Sequence, residues 1–309
     1  MFSPIAPSMT SRLLFPAFLL LAILWTGCGD KPEPRAGADS TTARRIITLG
    51  GPITEIVQEL GLSNEVVGVD ASSQWADSAH PVAKLSYQRA IAAEGVLALR
   101  PTLVLGTSES GPPSALEQIR SAGVRVVQVK TGYTVEAALH RVDTIAALLG
   151  VPERGAQLRE RMKARLASLP AAADTPRVLF IYGRSPGSMQ VAGRETAADA
   201  VVGLAGGRNT VTEYTGYKPI TPEAVLAAKP EVIVMTASGL QANGGIDGLL
   251  RSQPALLETP AGKARRIVAM DDNLLLGFGP RLGDAVHMLH GLLRGTAAAA
   301  DSTMAGKTR

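Results

Sequence analysis

The pentapeptide Gly183-Arg184-Ser185-Pro186-Gly187 follows an apolar run and fits the spacing of a nucleophile elbow, in which a serine on a sharp strand-to-helix turn attacks a carbonyl. His287 or His290, with an aspartate between them and the serine, gives the expected chain order for such a hydrolase. Pro186 argues against it. The oxyanion hole of that machinery uses the backbone N–H of the residue after the serine, and proline has none. His287 and His290 stand at i and i+3, which is legal spacing for metal ligation on a helix. Only His80 and His140 remain elsewhere, with no Cys or His-Glu cluster beside them, so ordinary helix-surface histidines are the better reading. Gly50-Gly51 lacks both the G-x-G-x-x-G and the G-K-[ST] spacing of nucleotide loops. In Leu85-Ser86-Tyr87-Gln88-Arg89, alternate residues of an extended stretch point the same way, which predicts a phenol and a guanidinium on one surface. A phenol is a hard ligand for ferric iron, and a nearby arginine favours phenolate. From spacing alone, a half-buried tyrosine beside a surface arginine is the better reading of the pair.

These residues lie in a chain of alternating strands and helices. Strands are predicted at 45–49, 65–69, 103–105 and 124–129, with a helix at 53–60 after the Gly50-Gly51-Pro52 turn and another at 114–122. Helical patterns then fill 135–149 and 153–169, separated by Gly150-Val151-Pro152, with Pro152 suited to open the second. Beyond Pro170 the alternation resumes, with strands at 177–182, 232–235 and 266–269 and helices at 196–204, 246–250 and 281–293. The pattern predicts an α/β protein of two Rossmann-like lobes with parallel sheets, joined by a long α-helix, with a ligand cleft between the lobes. The predicted boundaries are 44–151 for the first lobe, 152–169 for the linking helix, 170–295 for the second lobe and 296–309 for a disordered tail.

An internal repeat supports two related lobes. Ala93-Glu94-Gly95-Val96-Leu97-Ala98-Leu99-Arg100-Pro101 matches Pro222-Glu223-Ala224-Val225-Leu226-Ala227-Ala228-Lys229-Pro230, each followed by a strand. Acidic residues at these positions also suit the first turn of a helix.

The chain has 309 residues, with 46% hydrophobic and 19% charged. Its start differs from the rest: Arg12 precedes the apolar stretch 13–25, which is interrupted by Pro16 and followed by Thr26-Gly27-Cys28. This is the layout of a secretion signal over residues 1–27, and the run is too short for a membrane span of about 20 residues. Cys28 is the only cysteine, which excludes an intramolecular disulfide. Its setting resembles a bacterial lipobox, implying lipidation of Cys28 and anchoring to the membrane in the periplasm. Residues 28–43, rich in Pro, Gly, Ser, Thr and Ala, read as a flexible tether. The mature chain carries a charge of about +3 with no basic block, so nucleic acid is not expected as a partner.

On the motifs that follow, the chain resembles the periplasmic haem-binding proteins of bacterial haem importers, within a larger class that also binds siderophores and cobalamin. The resemblance covers about residues 44–295. It rests on Gly50-Gly51-Pro52-Ile53-Thr54-Glu55, Tyr87-Gln88-Arg89 ahead of Ala93-Glu94-Gly95-Val96-Leu97, Ala192-Gly193-Arg194-Glu195-Thr196-Ala197-Ala198-Asp199-Ala200, Gly216-Tyr217-Lys218-Pro219 and Leu276-Gly277-Phe278-Gly279-Pro280-Arg281. Ser86 stands where these proteins usually have glycine. The resemblance implies that Tyr87 coordinates the iron of haem b (hemin), the transported ligand, and that Arg89 hydrogen-bonds the phenolate. Arg281, Arg184 and Lys218 are then candidates for the propionates, because a guanidinium fork suits a carboxylate. Tyr214, Tyr217 and Met189 are expected on the opposite wall. Glu94 and Glu223 are expected to dock the lobes onto the permease dimer of an ABC importer, which is powered by a separate ATPase. The binding protein itself is expected to be a monomer and not an enzyme. A ferric siderophore or cobalamin is the alternative ligand.

Overall fold

The computed structural model describes residues 44–74, 80–171, 174–183, 188–219 and 221–296. The first lobe runs β1 (Ile46–Leu49), α1 (Gly51–Glu59), β2 (Val66–Val69), β3 (Ala83–Lys84), α2 (Ala93–Ala98), β4 (Leu103–Thr107), α3 (Pro113–Ser121), β5 (Arg125–Val129) and α4 (Val135–Leu148). Its five-stranded sheet has the order β3-β2-β1-β4-β5 and is parallel throughout. Parallel strands are covered on both faces, so β1 is buried along its whole length. Its residues alternate: Ile46 joins a core with α1 and α4, while Ile47 and Leu49 join another with α2 and α3.

The connection is α5 (Pro152–Ala167), opened by Pro152 and about 24 Å long at 1.5 Å per residue. The second lobe runs β6 (Arg177–Gly183), β7 (Met189–Ala192), α6 (Ala197–Leu204), β8 (Arg208–Asn209), β9 (Tyr217–Pro219), α7 (Pro222–Ala228), β10 (Val232–Thr236), α8 (Ala237–Ala242), α9 (Gly245–Ser252), α10 (Pro260–Lys263), β11 (Ile267–Met270), α11 (Asp272–Leu276) and α12 (Leu282–Arg294). Its six-stranded sheet has the order β11-β10-β6-β7-β9, with β8 beside β6. The strands β11, β10, β6 and β8 are parallel, whereas β7 and β9 join antiparallel. The expectation of a wholly parallel second sheet is therefore corrected at that edge. A hairpin, which needs no crossover helix, lets the chain return beside β6.

One apolar core spans both lobes: Val57, Leu60 and Ile145 of the first share it with Phe180, Val201, Phe278 and Leu289 of the second. The far face of the second sheet has a core of its own around Leu179, Ile181, Met189 and Leu249.

The internal repeat extends into backbone geometry. Arg100 and Lys229 both adopt left-handed conformations, φ 46° and 42°, each just before a proline. At the start of β1 and β6 respectively, Arg45 and Arg177 donate to the carbonyls left open there. Arg45 reaches Leu99 O at 2.8 Å and Arg100 O at 3.0 Å, and Arg177 reaches Lys229 O at 2.9 Å.

The linking helix is locked onto α4 at Gly155, where an added Cβ would lie 2.3 Å from the Ala146 Cβ. Gly155→Leu should destabilise the protein by about 1–3 kcal/mol through overpacking, read as a lower urea midpoint; an unchanged midpoint would mean that α4 and α5 part at no cost.

Candidate functional site

The segment carrying Tyr87 is seated by a buried carboxylate. Asp70, fully buried at the end of β2, accepts from Gly50 N at 2.8 Å and Ser73 Oγ at 2.6 Å on one oxygen. On the other it accepts from Ser72 N at 3.0 Å, Ser72 Oγ at 2.5 Å and Gln88 N at 3.1 Å. The turn into α1, the end of β2 and the residue after Tyr87 thus converge on one side chain. Around it, Ala71 N donates to Ser86 O, Gly111 N to Gln88 O at 2.9 Å, and the Thr107 hydroxyl to Gln88 Oε1 at 3.0 Å. The Tyr87 loop is rigidly preformed.

The backbone turns directly after Tyr87, with Ala90 N donating to Tyr87 O at 2.7 Å. The period-two argument that set Tyr87 and Arg89 on one surface is corrected, because it holds only for extended chain. Tyr87 is half-buried, and Arg89 is exposed and ion-paired with Glu109 of the loop after β4. Glu109 also accepts from the Tyr133 hydroxyl at 3.3 Å, which ties the loop after β5 to the same cluster.

From the second lobe, Tyr217 packs against the shared core, its ring centre 5.7 Å from that of Tyr182. Burial pushes the Tyr217 phenol up to about 12, assisted by Tyr133 and Tyr182 and opposed by hydrogen bonds from the Thr196 side chain and the Ala198 backbone. At neutral pH Tyr217 is a hydrogen-bonded phenol.

The other expected wall residues sit elsewhere. Met189 is buried in the core on the far side of the second sheet, and Tyr214 packs against that same core. Successive strand residues face opposite sides, so Met189 and Tyr214 do not share a wall with Tyr217, and that expectation is corrected. Tyr214 donates to Val191 O at 3.4 Å, and the Lys218 ammonium lies 4.4 Å from the centre of its ring. Burial, with Glu213 adding, pushes the Tyr214 phenol up.

Arg281 caps α12 and is ion-paired with Glu55 of α1, in a groove lined by Leu158, Met162 and Arg165 of the linking helix. Burial works against the Arg281 charge, but Glu55, with Asp271 and Asp284, outweighs it and raises its pKa. Burial raises Glu55 as well, with Asp271 and Glu59 adding, against the opposing pull of Arg281. The fork expected for a propionate is, in this structure, paired with a carboxylate beside the linking helix. Arg184 and Ser185 lie outside the described residues, as does Cys28.

Glu94 and Glu223 are exposed in the first turns of α2 and α7, and among the described residues neither makes an ion pair. Both helices lead into parallel strands from the edge where the strands end, so both glutamates lie at the same edge of their sheets as the Tyr87 loop. His287 contacts Arg165 O and Ser168 Oγ, whereas His290 faces Ala205 O. The two histidines serve different neighbours, and among the described residues no group of three His, Cys, Asp or Glu is placed to hold a metal ion.

Sequence reasoning missed Asp70, Glu109 and Tyr133. Asp70-Ala71-Ser72-Ser73 at a strand end carries a turn signal that identifies the first; the other two lie in loops whose approach is purely tertiary.

Two α/β lobes on a bridging helix, with loops converging at the strand ends, define a bilobal solute-binding protein. The chain belongs to the periplasmic binding protein family, whose model matches residues 46–274. It is a binding protein and not an enzyme. It is similar to the periplasmic heme-binding protein RhuT from Roseiflexus sp. RS-1 in apo form, with a TM-score of 0.79 and 40% identity over 83% of this chain and 100% of that one. An ABC transporter substrate-binding lipoprotein of Bacillus subtilis, YvrC, is 25% identical over 89% of this chain and 95% of its own length. A vitamin B12-binding protein of Vibrio campbellii is 26% identical over 65% of this chain and 74% of its own.

Tyr217 supplies a pH test. Its phenol ionises more readily in the unfolded chain, near pH 10, than in the folded one. Relative to Tyr217→Phe, the native protein should therefore lose stability as pH rises from about 10 towards about 12, and none below that window, in denaturant titrations at stepped pH. Parallel profiles would place Tyr217 in contact with water.

Proposed function

We propose that this protein binds haem between its lobes, with Tyr87 as the iron ligand, and delivers it to an ABC permease powered by its ATPase. The observation that carries this reading is the 40% identity to a periplasmic heme-binding protein over 83% of the chain, combined with a tyrosine on a loop hydrogen-bonded to the strand ends of the first sheet. A preformed seat suits the task, because the ligand then costs little ordering. Arg89, two residues beyond the proposed iron ligand, is held by Glu109. Lys218 and the Arg184 loop remain candidates for contacts to the propionates. Cys28 is the proposed site of lipidation, so that the tether holds the folded part near the permease; the similarity to a substrate-binding lipoprotein supports this.

Titration of hemin into protein lacking residues 1–28 should give a saturable ferric spectrum of phenolate type, and Tyr87→Ala should abolish that signature. Saturable binding of cyanocobalamin without a hemin response would move the assignment to the ligand of the vitamin B12-binding relatives.

Glu94 and Glu223 present like charges, one from each lobe, to the same side. Such rim charges act chiefly on encounter and orientation. Glu94→Lys with Glu223→Lys should leave hemin binding unchanged and reduce the ATP hydrolysis that the binding protein stimulates in importer proteoliposomes about tenfold or more. Full stimulation by the double variant would remove both residues from the docking surface.

A further inference from the structure

Arg141 lies on α4, only 2% exposed, and among the described residues no carboxylate pairs with it. Burying an unpaired guanidinium is costly, and burial lowers its pKa. Its donors go to two backbone carbonyls: Nη1 to Phe278 O at 2.8 Å and Nη2 to Gly132 O at 3.2 Å, while Nε has no partner among the described residues. Phe278 belongs to the second lobe and Gly132 to the first. Phe278 itself holds a left-handed conformation, φ 50°, which is strained for a residue with a side chain. Its ring meets that of Tyr133 edge-on at 5.6 Å. Tyr133 follows Gly132 directly, and its hydroxyl donates to Glu109, the partner of Arg89.

A continuous physical path therefore runs from Phe278 through Arg141 to Gly132 and Tyr133, and on to Glu109 and Arg89 beside Tyr87. An apolar side chain here would avoid the desolvation cost of the charge but leave Phe278 O and Gly132 O without this donor. The guanidinium adds direction, since a planar fork fixes two carbonyls relative to each other.

We propose that Arg141 is a positioning residue that couples the second lobe to the charged rim beside Tyr87, so that the angle between the lobes sets where Arg89 stands. The inference rests on the reading of Tyr87 as the haem ligand for its effect on binding, and on the geometry above alone for the coupling itself.

The test combines hemin release to a scavenger such as apomyoglobin with amide hydrogen exchange on the ligand-free protein. Arg141→Met and Tyr133→Phe should each speed hemin release about tenfold, and the double variant should be no faster than the quicker single one, because both break one path. In ligand-free Arg141→Met, exchange should rise in 107–111 as well as in 130–134 and 277–281. Multiplicative rates in the double variant, or exchange gains confined to 130–134 and 277–281, would overturn the coupling and leave Arg141 a local brace. Arg141→Lys, which keeps the charge and loses the fork, gives the same two readings if the Met variant does not fold. Should wild-type protein fail to bind hemin, the ligand assignment falls, and the exchange pattern still decides the coupling.

Discussion

The carboxylate of Asp70 gathers three pieces of chain that are distant in sequence. Among the described residues no cation pairs with it, and its burial is tolerable because five donors surround it. Two of those donors are backbone amides that would otherwise be orphaned at the turn into α1 and at the residue after Tyr87. A chain of hydroxyls continues from Ser73 through Thr54 to Thr48, with each oxygen pair 2.7 Å apart. The polar groups around Asp70 thus form one hydrogen-bonded network, and the Tyr87 loop is tied into it.

The two lobes solve one problem twice. In each, a short helix ends on a basic residue in a strained conformation, a proline follows, and an arginine at the start of the neighbouring strand caps the open carbonyls. The solutions diverge at the site. The first lobe keeps an all-parallel sheet and presents loops to the ligand side, whereas the second inserts the β7–β9 hairpin and sends Tyr217 into the shared core. Duplication of a scaffold followed by loop change accounts for both the likeness and the difference.

Much of the architecture was legible because its strands are short apolar runs bounded by Gly and Pro. The strands at 45–49, 103–105, 124–129, 177–182 and 232–235 and the helices at 135–149 and 153–169 all appear within a few residues of their predicted limits. The strands β3, β7, β8 and β9 were not legible: they lie at edges or in a hairpin, and Tyr217-Lys218-Pro219 carries no alternation strong enough to announce a strand. Site legibility followed the same divide. Tyr87 was visible through motif resemblance, but its relation to Arg89 depended on a turn that spacing does not encode. Arg141 gave one unused signal, a charged residue at the position between Ala138 and Ile145 that helical periodicity assigns to the core.

The segment Asp271–Arg281 belongs to the second lobe by sequence and packs its helix α11 against α6 and α12, yet it also carries polar contacts to the first lobe. Gln74 Nε2 donates to Asp271 at 2.7 Å, Asn273 Nδ2 donates to Ser72 O at 2.7 Å, and Arg281 pairs with Glu55. Recombination between relatives at the linking helix would therefore separate residues that must evolve together. A chimera that exchanges ligand specificity by swapping lobes would have to keep these three pairs matched across the exchange, so the natural unit of inheritance is the lobe together with the residues of its neighbour that this segment touches.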